Sequence, residues 1–440
     1  SAGIGRFSVM SFPTVILLTL LALYTPSIAD QASFRPKALV LPITKDVSTK
    51  QYVTVIHQRT PLVPITTSFD LGGPFLWVDC DHKFASSSWK PVRCGSAQCN
   101  LAGSKSCTTE CFSAQRPGCT NNTCGLIIDN RFIGVATSGD LGQDVLTMQS
   151  TDRINPGRNA SVPNFLLGCG SAPVLPGLPK GAVGIAGFGR SKVSVPYQLS
   201  SAFSFSKKFA ICLSSGTGVV FFGGGPYHFL LNKVIDVQKY TTPLILNPVS
   251  TAGAYIGSEK STDYFIKVTS ILIGGKPVRL NSSLLTIDKD GNGGTMISTV
   301  VPYTVMATSI YKAVAKAFSS QISYAPVVRA VAPFKLCYNS SYLSPTRVGW
   351  NVPAIELVLH QKDVRWTMFG STSMVMVADD VACLGLVDGG AEARTAIVIG
   401  GYQVEDSLLE FDLAASTLGF FNTLPFIQTT CANFNFTTHL

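Results

Sequence analysis

Twelve cysteines constrain this chain more than any other feature: the count is even and no Cys-x2-Cys pair occurs, a pattern that describes disulfides rather than metal sites. Seven crowd between Cys80 and Cys124 (Cys80, Cys94, Cys99, Cys107, Cys111, Cys119, Cys124), and Cys169, Cys212, Cys337, Cys383 and Cys431 are spread beyond. Six bridges in an oxidising compartment are expected. A zinc site on Cys94-x4-Cys99 or Cys119-x4-Cys124 would need nearby imidazoles, and the five histidines (His57, His82, His228, His360, His439) are scattered. Neither a metal nor a cofactor is expected.

The N-terminus points to the same compartment. Residues 15–23 form an apolar run too short for the about 20 residues that span a bilayer. Arg6 precedes it and Ser27-Ile28-Ala29 follows, as in a secretory signal cleaved after Ala29. Residues 1–29 are therefore read as signal peptide, with translation starting at Met10 and the residues before it an extension. The five sequons at Asn121, Asn159, Asn281, Asn339 and Asn435 suit a secreted glycoprotein.

Beyond residue 29 the chain reads as mainly β. Short runs rich in Val, Ile and Phe recur at Ala38–Ile43, Tyr52–His57, Phe75–Asp79, Leu126–Asp129, Val219–Phe222, Phe265–Ile273, Ala354–Leu359 and Ala396–Ile399. The 39 Gly and 25 Pro supply turns between them. One amphipathic helix is expected over Thr304–Phe318, where Ala307, Ile310, Val314 and Phe318 share a face. Charged residues make up 13% of the chain, against roughly 25% in an average soluble one. The net charge of +9 is not gathered into Lys/Arg runs, which argues against a nucleic-acid binder.

Two halves echo each other. Asp70-Leu71-Gly72-Gly73 is followed after 117 residues by the glycine of Ile185-Ala186-Gly187, and Ser298-Thr299-Val300 after 102 residues by the glycine of Val398-Ile399-Gly400. The stretch Phe221-Phe222-Gly223-Gly224-Gly225-Pro226 between them reads as the lobe junction, giving lobes at 30–233 and 234–440. Together with Phe34–Lys37, Asp70–Cys80, Cys94–Cys99, Pro117-Gly118-Cys119, Ile297–Thr299 with Pro302-Tyr303, and Leu386–Gly390, these signals resemble the plant branch of the bilobal pepsin-like aspartic proteinase fold. The resemblance, over about Phe34 to Phe426, is closer still to the proteinase-like inhibitors of glycoside hydrolases: the xyloglucan-specific endoglucanase inhibitor proteins and the extracellular dermal glycoprotein. It implies the bridges Cys80–Cys169, Cys212–Cys431 and Cys337–Cys383, with Cys94, Cys99, Cys107, Cys111, Cys119 and Cys124 pairing among themselves.

Aspartic proteolysis needs two carboxylates sharing a proton across a water. The first position of the family motif is Asp70, followed by Leu71 where Thr or Ser is usual; the second stands as Ser298-Thr299-Val300. A serine hydroxyl has no acidity near neutral pH, and the flap segment Asp129–Leu141 lacks the family's Tyr-Gly-Asp-Gly-type string. A fold without peptidase activity is expected, with Asp70 kept as a turn residue bonded to backbone amides.

In the resembled inhibitors two loops of the C-terminal lobe each bring an arginine into the cleft of a family 12 endoglucanase. The matching segments are Ser323–Pro333, whose only cation is Arg329, and Ala391–Thr395, carrying Arg394. Guanidinium groups pair bidentately with carboxylates such as the catalytic pair of a retaining glycosidase. No histidine lies in the second loop, so family 11 xylanases are disfavoured as targets. The implied protein is a secreted monomer of the plant apoplast that binds a microbial endoglucanase and neither nucleic acid nor membrane. Two rivals stay open: a degenerate but active aspartic endopeptidase, and a storage globulin that binds a peptide or wall polysaccharide. Asp288-Lys289-Asp290-Gly291-Asn292-Gly293 imitates the start of a calcium loop, but its twelfth position is Thr299 and a strand follows, so it reads as a polar turn. Trp77 is assigned to the core; Trp89, Trp350 and Trp366 are left unassigned.

Overall fold

The computed structural model describes residues 2, 3, 5, 34–251, 259–422 and 424–437. The apolar run 15–23, Met10 and Ser27–Ala29 lie outside the described residues. Internal contacts divide the chain into a short piece, Ser1–Arg35, and a second unit, Pro36–Leu440, which holds all the regular structure described here.

Within that unit, twenty strands join by hydrogen bonds into one sheet system. Alternating burial sets its faces: in Leu39–Lys45 and Tyr52–Gln58 the residues Leu41, Ile43, Tyr52 and Ile56 turn inward while Pro42 and His57 face out or sideways. The sheet runs unbroken from one half of the sequence to the other. Lys208–Cys212 pairs with Thr217–Phe222 on one side and with Leu408–Asp412 on the other. Phe188, Phe209, Phe222, Tyr264 and Phe411 stack in the core around that join.

The echo in the sequence corresponds to a repeated strand interlock. In the first half Val63–Asp70 lies parallel to Gly184–Gly187, with Asp70 opposite Gly187. Gly184–Gly187 runs antiparallel to Trp77–Asp79, which lies parallel to the end of Pro156–Gly170. In the second half Thr295–Ile297 lies parallel to Ile397–Ile399, which runs antiparallel to Thr304–Met306, itself parallel to Leu386–Asp388. Four strands thus cross in the same order twice, and the two following turns meet through Thr299, which bonds Phe69 O and Leu71 N. The architecture is mainly β, bilobal and pepsin-like.

Two elements differ from the sequence reading. The helix begins at Thr308 and runs to Gln321, because Thr304–Met306 is drawn into the interlock as a strand; Ile310, Val314 and Phe318 still form its buried face. The run Phe265–Ile273 is two strands, Tyr264–Ile266 and Ser270–Ile273, which pair in different sheets with Thr295–Ile297 and Ile355–Val358. Six disulfides brace the unit: Cys80–Cys169, Cys212–Cys431 and Cys337–Cys383, and, inside the cysteine-dense insert, Cys94–Cys107, Cys99–Cys124 and Cys111–Cys119.

Candidate functional site

The two equivalent turns carry different chemistry. Asp70 ends its strand fully buried, and its Oδ1 accepts from Gly72 N at 3.0 Å, as a turn aspartate does. The same oxygen also pairs with Arg131 Nη2 at 2.8 Å, while Arg131 Nη1 reaches Asp263 Oδ1 at 2.9 Å. Arg131 comes from the tip of the flap hairpin, where Thr123–Asn130 turns back into Val135–Thr151, and Asp263 precedes a strand of the other half. Their side chains are 6% exposed for Arg131 and 1–3% for the two acids, so water is excluded from the triad. Gly72 makes the room: a Cβ there would strike the Asp263 carboxylate and the Arg131 guanidinium.

Burial pushes the Asp70 carboxyl above its ordinary value, against the pull of Arg131 and with the push of Asp263. Burial alone would lower Arg131, but Asp263 and Asp70 more than reverse it and the guanidinium sits above its ordinary range. Both bonds fall on Asp70 Oδ1, and the guanidinium offsets the charge that a lone carboxylate would bring into the core.

Ser298 directly follows Thr295–Ile297, whereas Asp70 is the last residue of Val63–Asp70. Its N–H donates to Ile399 O at 2.9 Å and its Oγ accepts from Val300 N at 3.1 Å. The next residue bridges the halves: Thr299 Oγ1 donates to Phe69 O at 3.1 Å and accepts from Leu71 N at 3.0 Å. Leu71, with no hydroxyl, cannot return this bridge and is buried as core. Above Arg131 a cavity of about 450 Å³ remains, with Lys105, Asp129, Glu259 and Lys260 on its walls.

The two arginine segments lie on neighbouring loops tied to one carboxylate. Asp388 accepts from Lys335 Nζ and Thr308 Oγ1, each at 2.6 Å, and from Gly390 N at 3.1 Å. Lys335 follows the Ser323–Pro333 loop and Gly390 opens the Ala391–Thr395 loop. The Lys335 bond, then those from Thr308 and Gly390, hold the Asp388 carboxyl down at about 2. Arg329 is exposed, and its side chain has no acceptor among the described residues. Arg394 is docked: its Nε donates to Asn292 Oδ1 at 3.1 Å and its Nη2 to Asp290 O at 3.3 Å.

Two family models match the chain, one described as xylanase inhibitor N-terminal over residues 52–224 and the other as xylanase inhibitor C-terminal over residues 263–422. The chain belongs to the xylanase inhibitor family. It is 53% identical over 427 residues to a Nicotiana benthamiana protein named "Probable aspartic proteinase GIP2", covering 96% of this chain and 97% of that one. It is 42% identical over 409 residues to "Gamma conglutin 1" of Prunus dulcis, covering 92% and 91%. The crystal structure of edgp superposes with a TM-score of 0.90 at 51% identity, over 92% of this chain and all of that one. That of soybean basic 7S globulin gives 0.78 at 33%, over 91% and all. This member is a non-catalytic, proteinase-like protein of pepsin-like fold.

Among the other predicted positions, Asn121, Asn159 and Asn281 are exposed, whereas Asn339 and Asn435 are half-buried. Trp77 and Trp366 are core residues; Trp89 and Trp350 pack half-buried against the core. Among the described residues no group of three His, Cys, Asp or Glu side chains is placed to hold a metal, and no helix is long and apolar enough to cross a membrane. Sequence reasoning missed Arg131 and Asp263. The one available signal was an arginine inside a flap segment that had lost its usual string.

Proposed function

We propose that this family member is a secreted, monomeric, glycosylated inhibitor of a microbial family 12 xyloglucan-specific endoglucanase, acting in plant defence at the cell wall. Ser298 then occupies the second catalytic position of the ancestral dyad, and Arg329 and Arg394 are the residues that meet the target's catalytic carboxylates. The observation that carries this reading is the Asp388 link, which joins the residue just after one arginine-bearing loop to the start of the other, in a C-terminal lobe proposed as residues 234–440. Two arginines carried on linked loops would suit the paired carboxyl groups, roughly 5–5.5 Å apart, of a retaining glycosidase. Their bidentate donors would occupy the acid and the nucleophile and close the sugar subsites. The net charge of +9 would speed encounter with an acidic enzyme.

A second reading is favoured by the relatives named gamma conglutin and basic 7S globulin: a binding globulin without a hydrolase target. Mixing the purified protein with a family 12 endoglucanase and following xyloglucan hydrolysis separates the two. Inhibition is expected, and Arg329→Ala and Arg394→Ala should each weaken it by about 2–5 kcal/mol. Unchanged inhibition by the double variant would exclude the arginine mechanism, and no inhibition by the unaltered protein would favour the globulin.

A further inference from the structure

Arg394 is presented differently from a free surface arginine, and the turn that imitates a calcium loop is the reason. Asp288 Oδ1 accepts from Asp290 N and Asn292 N, both at 2.9 Å, while Asp288 N donates to Asn292 O at 2.8 Å. Buried Asn247 anchors the turn from behind through Gly291 O at 3.0 Å. Gly291 and Gly293 sit at φ of 83° and 87°, which admits glycine at little cost. Gly293 N then donates to Arg394 O at 2.7 Å, so backbone and guanidinium are gripped by the same six residues.

The two nitrogens so engaged, Nε and Nη2, form one edge of the guanidinium, the edge that side-on carboxylate pairing uses. Nη1 and the remaining Nη2 hydrogen have no acceptor among the described residues. Arg394 lines an open cavity of about 400 Å³ together with Leu284, Ala307, Lys312, Ala391 and Ala396.

We infer that Asn292 is a positioning residue for the partner interface: it uses up the side-on edge of Arg394 and sets the end-on edge, Nη1 with Nη2, toward a carboxylate delivered by the partner protein into that cavity. This inference rests on the inhibitor reading above. Holding the side chain in one rotamer before binding removes an ordering cost that a mobile arginine would meet on association. Asp288 acts one step further back, by shaping the turn that carries Asn292.

A double-mutant cycle with a family 12 endoglucanase tests it. Asn292→Ala should weaken inhibition about two- to tenfold, the range expected when one long side chain must be ordered on binding. Asn292→Ala added to Arg394→Ala should weaken it no further. Arg394→Lys, which has no second edge to be held by, should behave like Arg394→Ala. In the free protein, the Arg394 Nε–H resonance should exchange slowly with water, and faster in Asn292→Ala. Additive losses in the cycle, or Asn292→Ala without effect while Arg394→Ala weakens inhibition, would overturn the positioning role and leave the inhibitor reading standing. Arg394→Ala with undiminished inhibition would also overturn the positioning role, whereas no inhibition by the unaltered protein would overturn the inhibitor reading.

Discussion

The turn after Val63–Asp70 and the turn after Thr295–Ile297 sit on the same four-strand crossing, yet one holds three charges sealed from water and the other holds hydroxyls. Backbone hydrogen bonding and core burial specify the crossing, and neither depends on what stands at the turn. Charge does depend on it. A lone carboxylate cannot stay buried and ionised without a partner, so Asp70 is accompanied by Arg131 and, to balance it, Asp263. At the other turn Ser298 and Thr299 need only neutral hydrogen bonds. Val300 stands where the first turn has Gly72, whose missing side chain lets the triad in.

Removing the cation should have the largest effect. Arg131→Ala leaves two buried carboxylates facing each other and is expected to cost about 3–5 kcal/mol in chemical denaturation. Adding Asp70→Asn and Asp263→Asn to that variant should recover part of the loss; a triple variant no more stable than the single would break the contrast between the turns. Thr299→Val comes next. It strips the Phe69 carbonyl of a donor and strands the buried Leu71 N–H, for about 1–3 kcal/mol by the same measurement.

Asp388 sharpens the comparison through pH, being a carboxylate held low rather than raised. Its folded value of about 2 lies below its ordinary 3.8, so the unfolded chain binds the proton more readily. Its contribution is therefore complete above pH 3.8 and fades as pH falls toward 2. Asp388→Asn should flatten the stability–pH curve across that window and leave the slope above it unchanged. The smallest effect belongs to Ser298→Ala, which loses one bond to Val300 N and should cost less than about 1.5 kcal/mol.

Much of this was legible in the sequence, and the exceptions share a cause. Apolar runs such as Tyr52–His57 and Val219–Phe222 marked strands because burial imposes its period locally. The spacings from Asp70 to Gly187 and from Ser298 to Gly400 marked the paired interlocks because the glycine lies beside each turn. Arg131 and Asp263 are 132 residues apart in sequence and meet only when flap and second half close on Asp70, so no local pattern reports them. Thr304–Met306 fitted a helical face until its partner Leu386–Asp388 claimed it as a strand. The six cysteines of the insert admit fifteen pairings, and three-dimensional adjacency selects one. The polar turn at Asp288–Gly293 was recognised as a turn, but its hold on Arg394, from about a hundred residues away, was not.

The asymmetry between the turns fits a proteinase-like protein that does not cut, and peptide turnover tests this most directly. Purified protein incubated with a denatured polypeptide at acid pH should release no new N-termini, with or without pepstatin, because Asp70 is paired with Arg131 and the acid beside it, Asp263, is held on that same arginine. Pepstatin-sensitive release that disappears in Asp70→Ala would contradict the account.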